Sequence, residues 1–257
     1  MRESQQTVRI ERHRVGDDIT VITFEAADAT DAAPTPTPRR PLVFVVHGLQ
    51  SRKERHIELC LLLAEAGFLA CTLDARHHGE RATPETMALL GGRMSAGFAL
   101  LFAEAVMGTA QDVGALADYF GRERYGLIGH SMGGYVALKT AIHDPRAAVV
   151  VSIAGNPDWT ILPEGVFLPP EALMLARAES PITYPDRFWP RPLLLLHGDA
   201  DPVVPVRGDR ALHELLTPRY AEDPGRLSLV EYPRVGHEFT PDMAARAVAW
   251  MTRYLDR

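Results

Sequence analysis

Between Tyr125 and Tyr135 the chain reads Y-G-L-I-G-H-S-M-G-G-Y, a run that few backbones can accommodate. Leu127 and Ile128 are a short apolar strand signal, and Tyr135, Val136, Leu138 and Lys139 begin a helical pattern. Gly129, Gly133 and Gly134 lie between them, around His130, Ser131 and Met132. A strand that turns directly into a helix brings backbone against backbone, where a Cβ at 129 or 133 would clash. Ser131, at the apex, is then expected in a strained conformation. Its hydroxyl would stand clear of the strand ends, above the free N–H groups that open the helix. Gly-x-Ser-x-Gly in a strand-to-helix setting has the form of a nucleophile elbow.

The rest of the chain repeats the same alternation. Residues 7–25 hold V-R-I-E-R-H-R and I-T-V-I-T-F-E around Gly16-Asp17-Asp18, a β-hairpin pattern. The stretch to Pro41 contains Pro34, Pro36 and Pro38 and reads as an exposed loop. Residues 42–46, L-V-F-V-V, form a continuous apolar run, as expected of a strand buried on both faces of a parallel sheet. It ends in His47-Gly48-Leu49. A helix is expected over 54–66, a strand over 68–73, then the polar turn D-A-R-H-H-G-E-R at 74–81. Helices follow over 84–90 and 96–120, broken near Gly91-Gly92. After the elbow helix comes a buried strand at 148–153.

Residues 156–191 break the rhythm. They are rich in proline, carry Trp159, Phe167, Phe188 and Trp189, and hold one amphipathic helix at about 170–179. Such an excursion after a core strand reads as a small lid. A strand at 192–196, a helix to about Leu216, a strand at 227–232 and a helix from Pro241, N-capped by Thr240, complete the chain. The expectation is one α/β domain over 1–257, with three layers and a mostly parallel central sheet flanked by helices. An N-terminal antiparallel hairpin and the 156–191 lid insertion complete it.

Composition narrows the partners. A net charge of -6 offers no electrostatic reason to bind nucleic acid or an anionic membrane. No apolar run reaches the ~18 residues of a spanning helix, and the polar N-terminus lacks a signal peptide's apolar stretch. The expected location is cytoplasmic, with Cys60 and Cys71 buried and reduced rather than joined in a disulfide. Oligomeric state leaves no trace in the sequence.

In parallel α/β sheets, functional groups gather at the carboxyl ends of strands. Such ends here carry His47-Gly48-Leu49, the 129–133 turn, H-G-D-A-D-P-V-V-P at 197–205, and Gly236-His237. On these residues the chain resembles the α/β-hydrolase superfamily. The order Ser131, Asp201, His237 is that family's own. H-G-D-A-D-P-V-V-P is similar to its H-G-x-x-D-x-x-V-P turn, and His47-Gly48-Leu49 to its oxyanion loop. Within the superfamily, the 74–81 turn and the short lid resemble small bacterial serine esterases of the dienelactone-hydrolase/acetyl-esterase type.

The resemblance implies Ser131 as nucleophile, His237 as general base and Asp201 as its orienting acid, with the backbone N–H groups of Leu49 and Met132 forming the oxyanion hole. Asp199 is a rival for the acid. Gln50, His78, Phe98, Trp159 and Phe167 are candidates for the substrate pocket, while His47 and His130 are expected to support loops. His77 and His78 with Asp74 and Glu80 allow either a metal site or a structural turn; the turn is the expectation, with no metal or cofactor. The implied activity is a carboxylesterase cleaving small to medium acyl esters through an acyl-enzyme. Thioesterase, acyltransferase or peptidase chemistry by the same triad, or a non-catalytic ligand-binding role, are the alternatives.

Overall fold

A computed structural model of the chain describes residues 7–27, 39–92 and 95–255. The expected loop around Pro34, Pro36 and Pro38 lies outside the described residues.

Among the described residues the strands form one eight-stranded sheet in the order β1-β2-β4-β3-β5-β6-β7-β8. β1 (Val8–Val15) and β2 (Ile19–Ala26) make the hairpin, and β2 pairs antiparallel with β4 (Leu69–Leu73). From β4 onward all pairings are parallel, through β3 (Leu42–Val46), β5 (Tyr125–His130), β6 (Ala147–Ile153), β7 (Leu193–Gly198) and β8 (Leu227–Tyr232). The central strands are predominantly apolar because helices cover both faces.

Along β3 the two-residue period divides the side chains. Leu42, Phe44 and Val46 enter one core with α3 (Ala96–Tyr119), α4 (Met132–His143) and α6 (Arg207–Leu216). Val43 and Val45 enter the other, with α1 (Ile57–Glu65) and α7 (Pro241–Tyr254). The edge strand β1 is mostly exposed on both faces. Every functional loop leaves the same, carboxyl edge of the parallel strands.

Helix boundaries follow their caps. Thr83 and Thr86 form a capping box at α2 (Pro84–Gly91), Ser95 accepts the Phe98 N–H at the start of α3, and Thr240 accepts the Met243 N–H at the start of α7. The helix expected over 54–66 is shorter. Residues 53–56 form a 3-10 turn, and α1 starts at Ile57. The buried Asp74 carboxylate accounts for the tight turn, since it takes both the Lys53 N–H and the Lys53 ammonium at 2.8 Å.

Residues 156–191, between β6 and β7, contain α5 (Pro170–Glu179) and short 3-10 turns. Lys139 of α4 donates to the Glu179 carbonyl at 2.9 Å and to its carboxylate, and Ser180 Oγ accepts the Trp159 N–H at 2.8 Å. These bonds tie the segment to α4 and to itself. No described helix is long and apolar enough to cross a membrane. Cys60 and Cys71 are both free and buried.

Candidate active site

Ser131 lies between β5 and α4 with φ 56° and ψ -120°, outside the conformations that a non-glycine residue adopts freely. The cause is the tightness of the turn. A Cβ on Gly129 would stand 1.8 Å from the Gly133 carbonyl oxygen, and one on Gly133 would stand 2.1 Å from that of Val46. With both positions bare, β5 runs into α4 without a spacer and Ser131 absorbs the strain.

Residues far apart in sequence converge there. The Ser131 hydroxyl is 2.8 Å from His237 Nε2, and His237 Nδ1 is 2.6 Å from Asp201 Oδ2. The ring donates from Nδ1 to the carboxylate, which leaves Nε2 free to accept the serine proton. Asp201 in turn accepts the Val203 and Val204 N–H groups at 2.8 and 2.9 Å through Oδ1. Burial would raise its pKa, but bonds from His197, His237 and the Val204 N–H outweigh that and hold the carboxyl well below its usual range. Asp199 is engaged elsewhere, accepting the Arg234 N–H at 2.6 Å. Of the two aspartates, Asp201 is the one hydrogen-bonded to His237.

Met132 is the first residue of α4, where an N–H has no acceptor within the helix. The 47–49 loop passes against the serine, since a Cβ on Gly48 would be 3.2 Å from Ser131 Cβ and 3.6 Å from its Oγ. His47 fixes that loop. Its Nδ1–H donates to the Gly48 carbonyl at 2.7 Å and its Nε2 accepts the Ala75 N–H at 3.1 Å. In a trans peptide the next N–H points opposite to that carbonyl, so this bond sets the direction of the Leu49 N–H. Burial pushes the His47 pKa down to about 4, which keeps the ring neutral, as the acceptor role of Nε2 requires.

His130 stacks on His237 with centroids 5.8 Å apart, and burial pushes its pKa down to about 3. A neutral ring packs against the proposed base without repelling its charged form.

The serine opens onto a cleft of about 480 Å³. Leu49, Phe98, Phe102, Met132, Tyr135, Trp159 and Phe167 line it, with Ile161, Val166 and Ala172 from the 156–191 segment. Among the described lining residues there is no Lys, Arg, Asp or Glu. Of the pocket candidates, Phe98 and Trp159 line the cleft wall, and Phe167, 85% exposed, belongs to the rim.

Gln50 and His78 do not line the cleft. Gln50 donates from Nε2 to the Leu90 carbonyl at 3.3 Å and borders a separate groove with Arg52, Arg55 and Met87. His78 is fully buried against the His47 ring, with Nδ1 donating to the Arg76 carbonyl at 2.8 Å. Both follow strand-end glycines or polar turns in sequence, but backbone carbonyls capture their side chains.

The 74–81 turn is organised by Asp74. It takes Lys53 and the Glu80 N–H, while His77 meets Glu104 at 3.2 Å. No group of three or more His, Cys, Asp or Glu among the described residues could hold a metal ion. Sequence reasoning missed Tyr135, three positions beyond Met132 and therefore on the same face of α4. It also missed Ile161 and Val166 of the 156–191 segment, which carry no pattern of their own.

Comparison with known proteins supplies the context. A family model described as serine aminopeptidase, S33, matches residues 37–178 and so ends before Asp201 and His237. The protein YitV of Bacillus subtilis, provisionally named an esterase, is 29% identical over 236 residues, covering 84% of this chain and 89% of its own. Esterase YjfP of Escherichia coli is 27% identical over 230 residues, with the same coverage of 84% and 89%. Among solved structures, TT1662 from Thermus thermophilus superposes with a TM-score of 0.72 at 29% identity, covering 97% of this chain and 99% of that one.

Proposed function

Because the chain belongs to the serine aminopeptidase S33 family of α/β-hydrolases, we propose that it is a carboxylesterase that cleaves small to medium, uncharged acyl esters through an acyl-enzyme on Ser131. The observation that carries this reading is the unbroken line Ser131–His237–Asp201, at 2.8 and 2.6 Å, opening into a cleft whose described lining residues include no Lys, Arg, Asp or Glu.

Each member has a job. A serine hydroxyl is a weak nucleophile at neutral pH, so His237 Nε2 takes its proton as Oγ attacks the ester carbonyl. Asp201 holds the opposite N–H, which fixes the tautomer and stabilises the imidazolium. The carbonyl oxygen becomes negative and is met by the N–H groups of Met132 and Leu49. Losing one such donor costs about 3–4 kcal/mol of barrier in comparable sites. His237 then protonates the departing alcohol, and water repeats the sequence to release the acid.

Aminopeptidase activity, which the family description names, fits the cleft less well. An α-ammonium needs a carboxylate partner once it is desolvated, and none lines the described walls.

The test is a chain-length series of p-nitrophenyl esters beside aminoacyl p-nitroanilides, with Ser131→Ala as control. The expected result is ester turnover that peaks at a short or medium chain and falls by at least about a thousandfold in the variant. Preference for the anilides, or parent-like turnover by Ser131→Ala, would overturn the reading.

A further inference from the structure

A second histidine lies against Asp201. His197, one residue from the end of β7 and completely buried, has Nε2 3.3 Å from Asp201 Oδ2 and 2.9 Å from the Val204 carbonyl. Its Nδ1 is 2.7 Å from Oδ2 of Asp209, a fully buried carboxyl in the first turn of α6.

The proton count follows from the partners. A backbone carbonyl only accepts, so Nε2 carries a hydrogen. Burial raises the pKa of Asp209, while the bond to His197 lowers it; the positive end of the helix adds to the pull toward the anion, and with an anion there Nδ1 carries a second hydrogen. The ring is then an imidazolium shared by two carboxylates. Burial opposes that charge, but the bonds to Asp201 and Asp209 prevail and hold the His197 pKa up at about 10. Among the described residues, the further charged or titratable neighbours are Glu231, opposite His197 on β8 and paired with Arg210; His237 beyond Asp201; and the buried Tyr135 hydroxyl.

We propose that His197 is a positioning residue that acts through Asp201: clamped between Asp201 and Asp209, it fixes the carboxylate oxygen that receives His237 and keeps that carboxylate ionised. The proposal rests on the reading of Ser131, His237 and Asp201 as the catalytic line. Without the imidazolium, Asp201 and Asp209 would be two buried carboxylates facing one gap, and one of them would take a proton. A protonated Asp201 is a poor acceptor for His237 and leaves the base without its orienting partner.

The experiment compares the parent with His197→Gln and Asp209→Asn by two readouts. One is the ¹⁵N spectrum of the histidine rings from pH 5 to 9. The other is the pH profile of kcat/KM on p-nitrophenyl butyrate, with folding checked by thermal melts. In the parent, the His197 nitrogens should both stay protonated through pH 8. In His197→Gln, kcat/KM at pH 7 should fall about tenfold to a hundredfold, through kcat, and recover in part at higher pH as Asp201 ionises again. Asp209→Asn should lower the pH at which His197 loses its second proton by at least one pH unit, which keeps the test decisive if the glutamine variant does not fold.

A neutral His197 in the parent at pH 7 would overturn the proposal. So would a glutamine variant with parent-like activity, or one whose loss is the same at every pH. If the parent turns over no ester, the catalytic reading fails, whereas the ring spectrum separately decides whether the clamp exists.

Discussion

Replacing Gly129 by alanine tests the geometry of the turn directly. The new Cβ would lie 1.8 Å from the Gly133 oxygen, 2.2 Å from its carbonyl carbon and 2.7 Å from the Gly134 nitrogen. All three are backbone atoms, so no side chain can rotate away. Reaching the 3.0 Å that real Cβ contacts respect means parting β5 from the first turn of α4 by 1.2 Å. Overpacking of this kind costs about 1–3 kcal/mol, and rigid partners put it at the upper end. For a chain of this length that is roughly a 6–12 °C fall in Tm, at ~2–4 °C per kcal/mol. The same shift displaces Ser131 and the Met132 N–H by about an ångström, worth ~100-fold in rate. The assay is kcat/KM on p-nitrophenyl butyrate beside a thermal melt. The control is Gly225→Ala, whose Cβ would meet side-chain atoms of Tyr254, Arg253 and Asp223, at 3.4, 3.5 and 3.6 Å. A Gly129→Ala protein with parent-like Tm and kcat/KM would refute the close-packed turn.

Stability should fall on the acid side of neutrality. Burial holds His47 and His56 each at about 4, so below their usual ~6.5 the unfolded chain gains protons that the fold refuses. Each is worth about 3 kcal/mol once the pH reaches 4. Tm should drop steeply from pH 6.5 to 4, and less so in His56→Phe; a flat Tm over that range would contradict the burial argument. Ala172→Phe places a ring in the cleft wall. It should lower kcat/KM for the longest good ester by at least about tenfold while leaving the acetate within a few-fold, and a uniform loss would argue against an acyl pocket there. Cys60 and Cys71 are fully buried, and desolvation pushes the Cys60 thiol up to about 12. Native protein should therefore resist iodoacetamide at pH 8 without loss of activity, and rapid modification would show that α1 opens.

The fold was legible where residue type and period agreed. β3 reads as an unbroken apolar run because both its faces are covered, and α7 announces itself by Thr240, Pro241 and an apolar stripe. The meeting of Ser131, Asp201 and His237 was legible because each sits at a strand end beside glycine or a turn. Less visible were contacts made across the sheet. Lys53 looks like a surface residue in an exposed loop, yet it is buried on Asp74. Gln50 and His78 look free to reach a substrate until backbone carbonyls claim them. His197 and Asp209 escaped notice because the pattern drew attention only to Asp201. One trace of them existed: Asp209 falls in register with Leu212 and Leu216 on the buried face of α6, where a carboxyl is out of place without a partner.

The most direct measurement of the central claim is the site of reaction with a fluorophosphonate, read by intact mass and peptide mapping at pH 7.5. The account predicts one adduct per chain, on Ser131, formed quickly in the parent and abolished in Ser131→Ala. It also predicts slowing by orders of magnitude in His237→Gln. An adduct on another residue, or equal labelling of the Ser131→Ala protein, would contradict it.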